Sequence, residues 1–341
     1  MPTPSPLLTI AIGPTPILLV APHATAPLAE AAPFVHAAAE VQTAFAAHVA
    51  EWHDAGSGEA LAAAARALGA TALQNALPRG LLDLNRGWRG RVEAQETLFG
   101  KGAVDRWVGD NLAQGALAQV EQRYRAAIAQ IRAATEGMRG MVELHSYGEL
   151  GSTYDRLAGG RPVRRAQTAV VDATPWASPR PVGLARLIPG DLRGTSWALH
   201  RQLGDALAEA GLPLGPHPYP AQAPWTLSNR FVAARWFQWL GDTGVVPPQT
   251  AATLVELAWT DEQNAALDVA LTGQDDPQLV GVQPFAERIT AWDHQPSALG
   301  AQFLVQTGVF ATTIELRLDL VDRADAMGAA VARALQRYLA G

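Results

Sequence analysis

The chain contains no cysteine. That absence removes disulfides, thiolate metal sites and cysteine nucleophiles together. Any transition-metal site must then be built from His, Asp, Glu and water. The N-terminal region has no basic segment, the first Lys or Arg being Arg66. Its first apolar run, Ile17 to Ala21, is far too short to span a membrane. A soluble, cytoplasmic protein is therefore expected. Basic charge is in deficit, with 26 Lys and Arg against 32 Asp and Glu and a net charge of −6. A nucleic-acid partner, which calls for a basic face, is not expected. Three catalytic signatures are also missing: a G-x-S-x-G nucleophile elbow, a phosphate-binding G-x-x-x-x-G-K-[ST] loop, and an H-E-x-x-H zinc helix. What remains is chemistry run by metal, carboxylate and arginine.

With 341 residues, 48% of them hydrophobic and 17% charged, the chain is globular and long enough to bury a large core. Short apolar runs that read as buried strands fall at Ile17–Val20, Leu81–Leu84, Met141–Leu144, Thr168–Val171, Phe303–Gln306 and Thr312–Leu316. Helical periodicity covers about 35–52, 59–68, 104–134, 197–210, much of 226–273, and 324–339, while residues 1–15 read as a Pro/Thr-rich lead-in. Strands alternating with helices predict a three-layer α/β/α fold with a mostly parallel or mixed central sheet. The domain reading is a single unit over 1–341, with a helical insertion at 242–298.

Four phrases carry candidate chemistry, each at or just beyond an expected strand. Open α/β sheets place their chemistry at the carboxyl ends of their strands. Pro22-His23 ends the first run. Asp83-Leu84-Asn85-Arg86 ends the second, with Arg79 just upstream; Arg offers a bidentate fork for a carboxylate and Asn a neutral donor. Glu143-Leu144-His145-Ser146 ends the third, and strand alternation puts Glu143 and His145 on one face, where Glu143 suits a partner of His145 or of a bound water. Thr-Thr-Ile-Glu-Leu-Arg-Leu-Asp-Leu closes the set and buries Glu315, a carboxylate that is costly inside a strand unless it is paired or working. Arg317 shares that face and offers the pairing. Asp54, in His53-Asp54-Ala-Gly-Ser-Gly, reads as a helix cap or as a metal ligand.

Together these phrases resemble the N-formylglutamate amidohydrolase family, distant relatives of the zinc carboxypeptidases and of the aspartoacylase group. The shared features, in order, are a strand ending in Pro-His, an Asp in a Gly-containing segment, Arg then five residues then Asn-Arg, a His-Ser after a strand, and Ile-Glu-Leu-Arg-x-Asp-Leu near the C-terminus. The resemblance covers roughly residues 17–240 and 300–340. It implies a zinc carboxypeptidase-like fold and a Zn2+ site held by His23, His145 and Asp54. Glu315 is implied as general base, and Arg79 as a stabiliser of the developing oxyanion or a holder of a substrate carboxylate. Asn85 and Arg86 are implied as a clamp on the α-carboxylate, with Tyr219 and Arg230 reaching for a side-chain carboxylate. The substrate implied is an N-acyl amino acid, N-formyl-L-glutamate by default. A carboxypeptidase-like peptidase acting on a small peptide or cell-wall fragment, and a non-catalytic carboxylate-binding homologue, are the alternatives. The chain departs from the pattern in having Ala24-Thr25 after Pro-His, and Ala26 where zinc carboxypeptidases have a Glu. The carboxylate ligand is thus open between Asp54 and Glu30. The 242–298 insertion is free to cap the site, narrow the substrate or join subunits into a homo-oligomer.

Overall fold

The structure is a computed structural model. It describes residues 5–24, 28–88, 102–151, 163–171, 187–189, 192, 195–216, 226–260 and 298–341. In chain order the elements are β1 (Leu7–Ala11), β2 (Thr15–Ala21), α1 (Leu28–Ala31), α2 (Ala39–Trp52), α3 (Ser57–Leu68), β3 (Ala70–Asn75), α4 (Arg106–Asp110), α5 (Ala116–Ala134), β4 (Gly140–Tyr147), β5 (Thr168–Val170), α6 (Trp197–Glu209), β6 (Leu214–Gly215), α7 (Leu227–Asp242), α8 (Pro248–Trp259), α9 (Ala298–Thr307), β7 (Phe310–Arg317) and α10 (Ala324–Ala340). The strands form one mixed sheet in the order β1-β3-β2-β4-β7-β5-β6. Strands β3, β2, β4 and β7 run parallel, while β1 and β5 join antiparallel.

The central strands are buried on both faces, which is why their sequences read as continuous apolar runs. Alternation divides them between two cores. Leu18, Val20, Leu73 and Met141 pack under α2, α5, α7, α8 and α9. Ile17, Leu19, Val142, Leu144, Ile314 and Leu316 pack under α3, α6 and α10. The expected three-layer α/β fold is the one observed. On the first face Trp236 is fully buried, stacked on Trp239 and edge-on to Phe303, with its indole N–H donated to the Leu187 carbonyl. On the second face α3 and α10 approach so closely at Gly328 that a Cβ there would run into the Ala60 carbonyl. The turn from α3 into β3 uses Gly69 at φ +64°, a backbone state that glycine adopts without steric cost.

Several local expectations are corrected. Leu81–Leu84 is a turn, not a strand: its residues are buried, but they form no ladder. The strand on that side of the sheet is β3, whose Ala-Thr-Ala-Leu-Gln-Asn composition carries little β signal. Phe303–Gln306 lies in helix α9, with Phe303 buried toward the core. The 104–134 helix is two helices, interrupted at 111–115, where Gly115 takes φ +78°. The N-terminal lead-in contains β1, which among the described strands is an edge strand paired to β3. Within the expected 242–298 insertion, α8 packs against α7, and 261–297 lie outside the described residues. No described helix is long and apolar enough to cross a membrane.

Candidate metal centre

The carboxyl ends of β2, β4 and β7 are neighbours in the sheet, so three chain segments far apart in sequence deliver their side chains to one edge. His23 follows β2 by two residues, His145 lies in β4, and Glu315 lies opposite His145 in the β4–β7 ladder. Asp54 arrives from the loop before α3, where its N–H donates to the His23 carbonyl at 3.2 Å and its own carbonyl accepts the Ser57 hydroxyl at 2.6 Å. The loop is therefore tied to both neighbours before any ligand is considered.

His23 Nδ1 lies 3.2 Å and His145 Nδ1 2.9 Å from the same oxygen, Asp54 Oδ2. The two rings meet edge to face with centroids 4.7 Å apart. All three side chains are buried, and they form the cluster of metal-binding type found among the described residues. The far nitrogen of each imidazole is also seated on a carboxylate. His23 Nε2 donates to Asp83 Oδ1 at 2.7 Å, and His145 Nε2 faces Glu143 Oε2 at 3.3 Å. Such outer carboxylates fix the tautomer and ring orientation of a metal-ligating His. With Nε2 carrying the proton, a neutral ring presents its Nδ1 lone pair to the centre. Two such lone pairs and a carboxylate oxygen then face one another, an arrangement that requires a proton or a cation between them. Two imidazoles and one carboxylate make a donor set that fits a divalent transition ion. Glu30, the other candidate carboxylate, lies exposed on α1 and outside this cluster.

The surrounding charges are arranged in layers. Arg79 bridges two carboxylates, donating to Asp54 Oδ1 at 3.3 Å and Asp83 Oδ2 at 3.2 Å. Arg86 Nε stands 4.0 Å from Asp83, and its Nη1 donates to the Asn85 carbonyl. Burial alone would raise Asp83, but the charges of His23, Arg79 and Arg86 hold it well below the usual carboxylate range. Asp54 is likewise held low against its burial, by His23 and His145 together with Arg79. Glu143, fully buried, is kept ionised against desolvation by His145, the Ser228 N–H and Asn85. Burial would lower His145, but hydrogen bonds to Asp54 and Glu143 and the nearby Glu315 raise it to about 10 in the metal-free protein. Glu315 behaves differently: desolvation pushes it up to about 7 despite the opposing charge of His145. Its Oε2 is buried without a hydrogen-bond partner among the described residues. Arg317, the partner that the strand pattern offers Glu315, instead forms its ion pair with Asp319 at 2.6 Å.

Asn85 is locked into the scaffold. Its Nδ2 donates to Glu143 Oε2 and lies 3.1 Å from His145 Nε2, while its Oδ1 accepts the Leu227 N–H at 3.1 Å. The next amide of α7, Ser228 N–H, donates to Glu143 Oε1 at 2.6 Å. A helix N-terminus thus faces the buried carboxylate, the favourable polarity for an anion. Arg230, one turn on, is buried and tied to neighbouring elements. Its guanidinium donates to the Tyr124 hydroxyl at 2.9 Å and the Trp259 carbonyl at 3.1 Å, and Tyr124 donates to the Arg86 carbonyl. Tyr219 lies outside the described residues. The carboxylate seat under His23 was not assigned from sequence, although Asp83 stands two residues before Asn85 in the most distinctive motif. Tyr124 and Arg165, which also border the site, lie in segments without a local signal.

No family model matches the chain, and no curated protein matches it. Among solved structures it is similar to the crystal structure of an N-formylglutamate amidohydrolase from Ralstonia eutropha, at 16% identity and TM-score 0.50, with 98% of this chain and 99% of that one covered. It is also similar to a gene product of Agrobacterium tumefaciens, at 14% identity and TM-score 0.46, covering 98% and 95%. From one end to the other, the chain shares its fold with the Ralstonia protein.

Proposed function

We propose that the protein is a zinc-dependent hydrolase that cleaves the amide bond of an N-acyl amino acid, with N-formyl-L-glutamate as the first substrate to test. One observation carries the reading: His23 Nδ1 and His145 Nδ1 converge on Asp54 Oδ2 while both Nε2 atoms are held by buried carboxylates. The shared fold with a protein described as an N-formylglutamate amidohydrolase supports the substrate class.

In this reading His23, His145 and Asp54 hold the ion, and Asp83 and Glu143 keep the two rings in the ligating tautomer. A zinc ion bound there would polarise the acyl oxygen and lower the pKa of a water to about 7. Glu315 takes a proton from the attacking water. Its desolvated carboxylate beside His145, with Oε2 lacking a hydrogen-bond partner among the described residues, suits a base working near neutral pH. The water oxygen adds to the acyl carbon, and the C–N bond then breaks. Glu315 returns its proton to the departing amine, so formate and a free amino acid leave. Arg79, beside Asp54, contributes positive charge toward the oxyanion. Arg86 contributes charge at the mouth, on a backbone braced by Tyr124 and Arg230.

The test is a metal analysis paired with formate release. One zinc per chain is expected, along with turnover of N-formyl-L-glutamate that chelation abolishes and zinc restores. Full activity in a chelated, metal-free preparation would end the reading. Release of C-terminal residues from short peptides, without deformylation, would replace it with a carboxypeptidase.

A further inference from the structure

The sequence offers Asn85 to a substrate carboxylate, as half of an Asn-Arg clamp, but the fold turns its side chain to the protein. Only 3% of the residue is exposed, and both ends of its carboxamide are engaged. Oδ1 accepts the N–H of Leu227, the first residue of α7, at 3.1 Å. That bond settles which end of the carboxamide is the acceptor. The NH2 therefore faces the metal centre's outer layer, where it donates to Glu143 Oε2 and stands 3.1 Å from His145 Nε2. The backbone of the same residue serves the other ring. Asn85 N–H donates at 2.9 Å to Asp83 Oδ1, the oxygen that seats His23 Nε2 at 2.7 Å.

One residue thus touches both outer carboxylates, Asp83 under His23 and Glu143 under His145. The parallel β2–β4 ladder fixes the backbones that carry the two rings, but not the turn of each imidazole about its own side-chain bonds. That turn is set at Nε2, by the carboxylate it meets. The last torsion of a glutamate is soft, so Glu143 holds a fixed plane only if its oxygens are pinned. Oε1 is pinned by the Ser228 N–H at 2.6 Å, and Oε2 by Asn85 Nδ2, which leaves Oε2 in place for His145 Nε2 at 3.3 Å. Without the Asn85 donor, Oε2 would be held by the ring it is meant to orient. The arrangement follows from strand alternation: Glu143 stands two residues before His145 on one face of β4, so its carboxylate meets both the ring and the Asn85 amide. Leu227 and Ser228, the first two amides of α7, complete it by holding Asn85 and Glu143 in turn.

We infer that Asn85 is a positioning residue, not a substrate clamp: it ties the outer carboxylates of both metal-binding imidazoles to each other and to the start of α7. This assignment rests on the metal centre of the proposed function. It says nothing of which substrate is bound, and it removes Asn85 from the groups that read one.

The experiment compares wild type, Asn85→Asp and Asn85→Ala for zinc affinity, thermal unfolding and kinetics. Asn85→Asp keeps the shape and the acceptor for Leu227 but sets an oxygen where the NH2 met Glu143; Asn85→Ala removes both contacts. Competition against a chelating dye should show zinc held about tenfold more weakly by each folded variant, the low end of the loss expected when the support of a metal-ligating His is disturbed. With zinc saturating, N-formyl-glutamate and its α-amide should lose kcat/KM in equal proportion, because no substrate contact has been removed. A folded variant that binds zinc as tightly as wild type overturns the assignment. It does so whether the only change is a lower Tm, as for a residue that merely braces the fold, or a KM raised for N-formyl-glutamate alone, as for a carboxylate clamp. If wild type binds zinc but hydrolyses neither substrate, the amidohydrolase reading fails and the zinc measurements still decide the role of Asn85. If wild type binds no zinc, both fail.

Discussion

Replacing Glu143 with Gln probes whether the buried carboxylate under His145 sets the ligating tautomer. The exchange keeps volume and shape. In the native protein Glu143 Oε1 accepts the Ser228 N–H at 2.6 Å, while Oε2 receives Asn85 Nδ2 and His145 Nε2. A glutamine can satisfy the Ser228 amide with its oxygen, but its NH2 then faces two donors. The alternative orientation turns that NH2 on the backbone N–H. Each orphaned buried donor costs about 1–3 kcal/mol. The cheapest relief is for His145 to give up its Nε2 proton and keep the one on Nδ1, which leaves no Nδ1 lone pair for a metal. Metal affinity should therefore fall ten- to a hundredfold, as expected when an outer carboxylate is lost, or about 1.4–2.8 kcal/mol. Competition for zinc against a chelating dye measures the change. Circular dichroism and thermal unfolding establish that the variant is folded and how far its Tm drops. A folded Glu143→Gln protein that binds zinc as tightly as wild type would refute the reasoning.

Four further outcomes are expected. Glu315→Gln should lower kcat by about 10²–10⁴ while keeping a full complement of metal, read by paired turnover and metal analysis, because the carboxylate lies beside the ligands and not among them. Metal binding should release protons: His145 is raised to about 10 in the metal-free protein, so at pH 7 an ion must displace a proton from between Nδ1 and Asp54. Apparent zinc affinity should then weaken as the pH falls, and calorimetry in buffers of different ionisation enthalpy should report at least one proton per ion. Trp236→Ala should cost about 3–5 kcal/mol in denaturant unfolding, since it empties a fully buried site between Trp239 and Phe303. Gly328→Ala, harmless on helix propensity, should instead destabilise by about 1–3 kcal/mol in the same assay because it forces α10 away from the Ala60 carbonyl.

How much of this was legible in the sequence depended on where the signal lay. Ile17–Val20 and Met141–Leu144 are strands buried on both faces, and continuous apolar runs reported them well enough to place His23 and His145 at one edge. Strand β3 escaped because two alanines, a threonine and amide side chains carry little strand preference; only its pairing between β1 and β2 makes it a strand. Leu81–Leu84 misled for the converse reason. Those residues are buried by the fold of the site loop, and burial without a ladder looks the same in sequence as burial within one. At the site, the motif identified the residues, but the roles of several follow from contacts that spacing cannot reveal. Asn85 is bound to Glu143 and to the start of α7, 142 residues away in the chain. Arg230 braces Tyr124, and Arg165 comes near Tyr147 because β5 runs antiparallel to β7.

The most direct test of the central claim is a crystal structure of the zinc-loaded protein, with anomalous differences measured on both sides of the zinc edge. The account predicts one peak bound by His23 Nδ1, His145 Nδ1 and an Asp54 oxygen at about 2.0–2.2 Å, with Asp83 and Glu143 still on the outer nitrogens. A peak elsewhere, ligation through the Nε2 atoms, or no peak at full zinc occupancy in solution would contradict it.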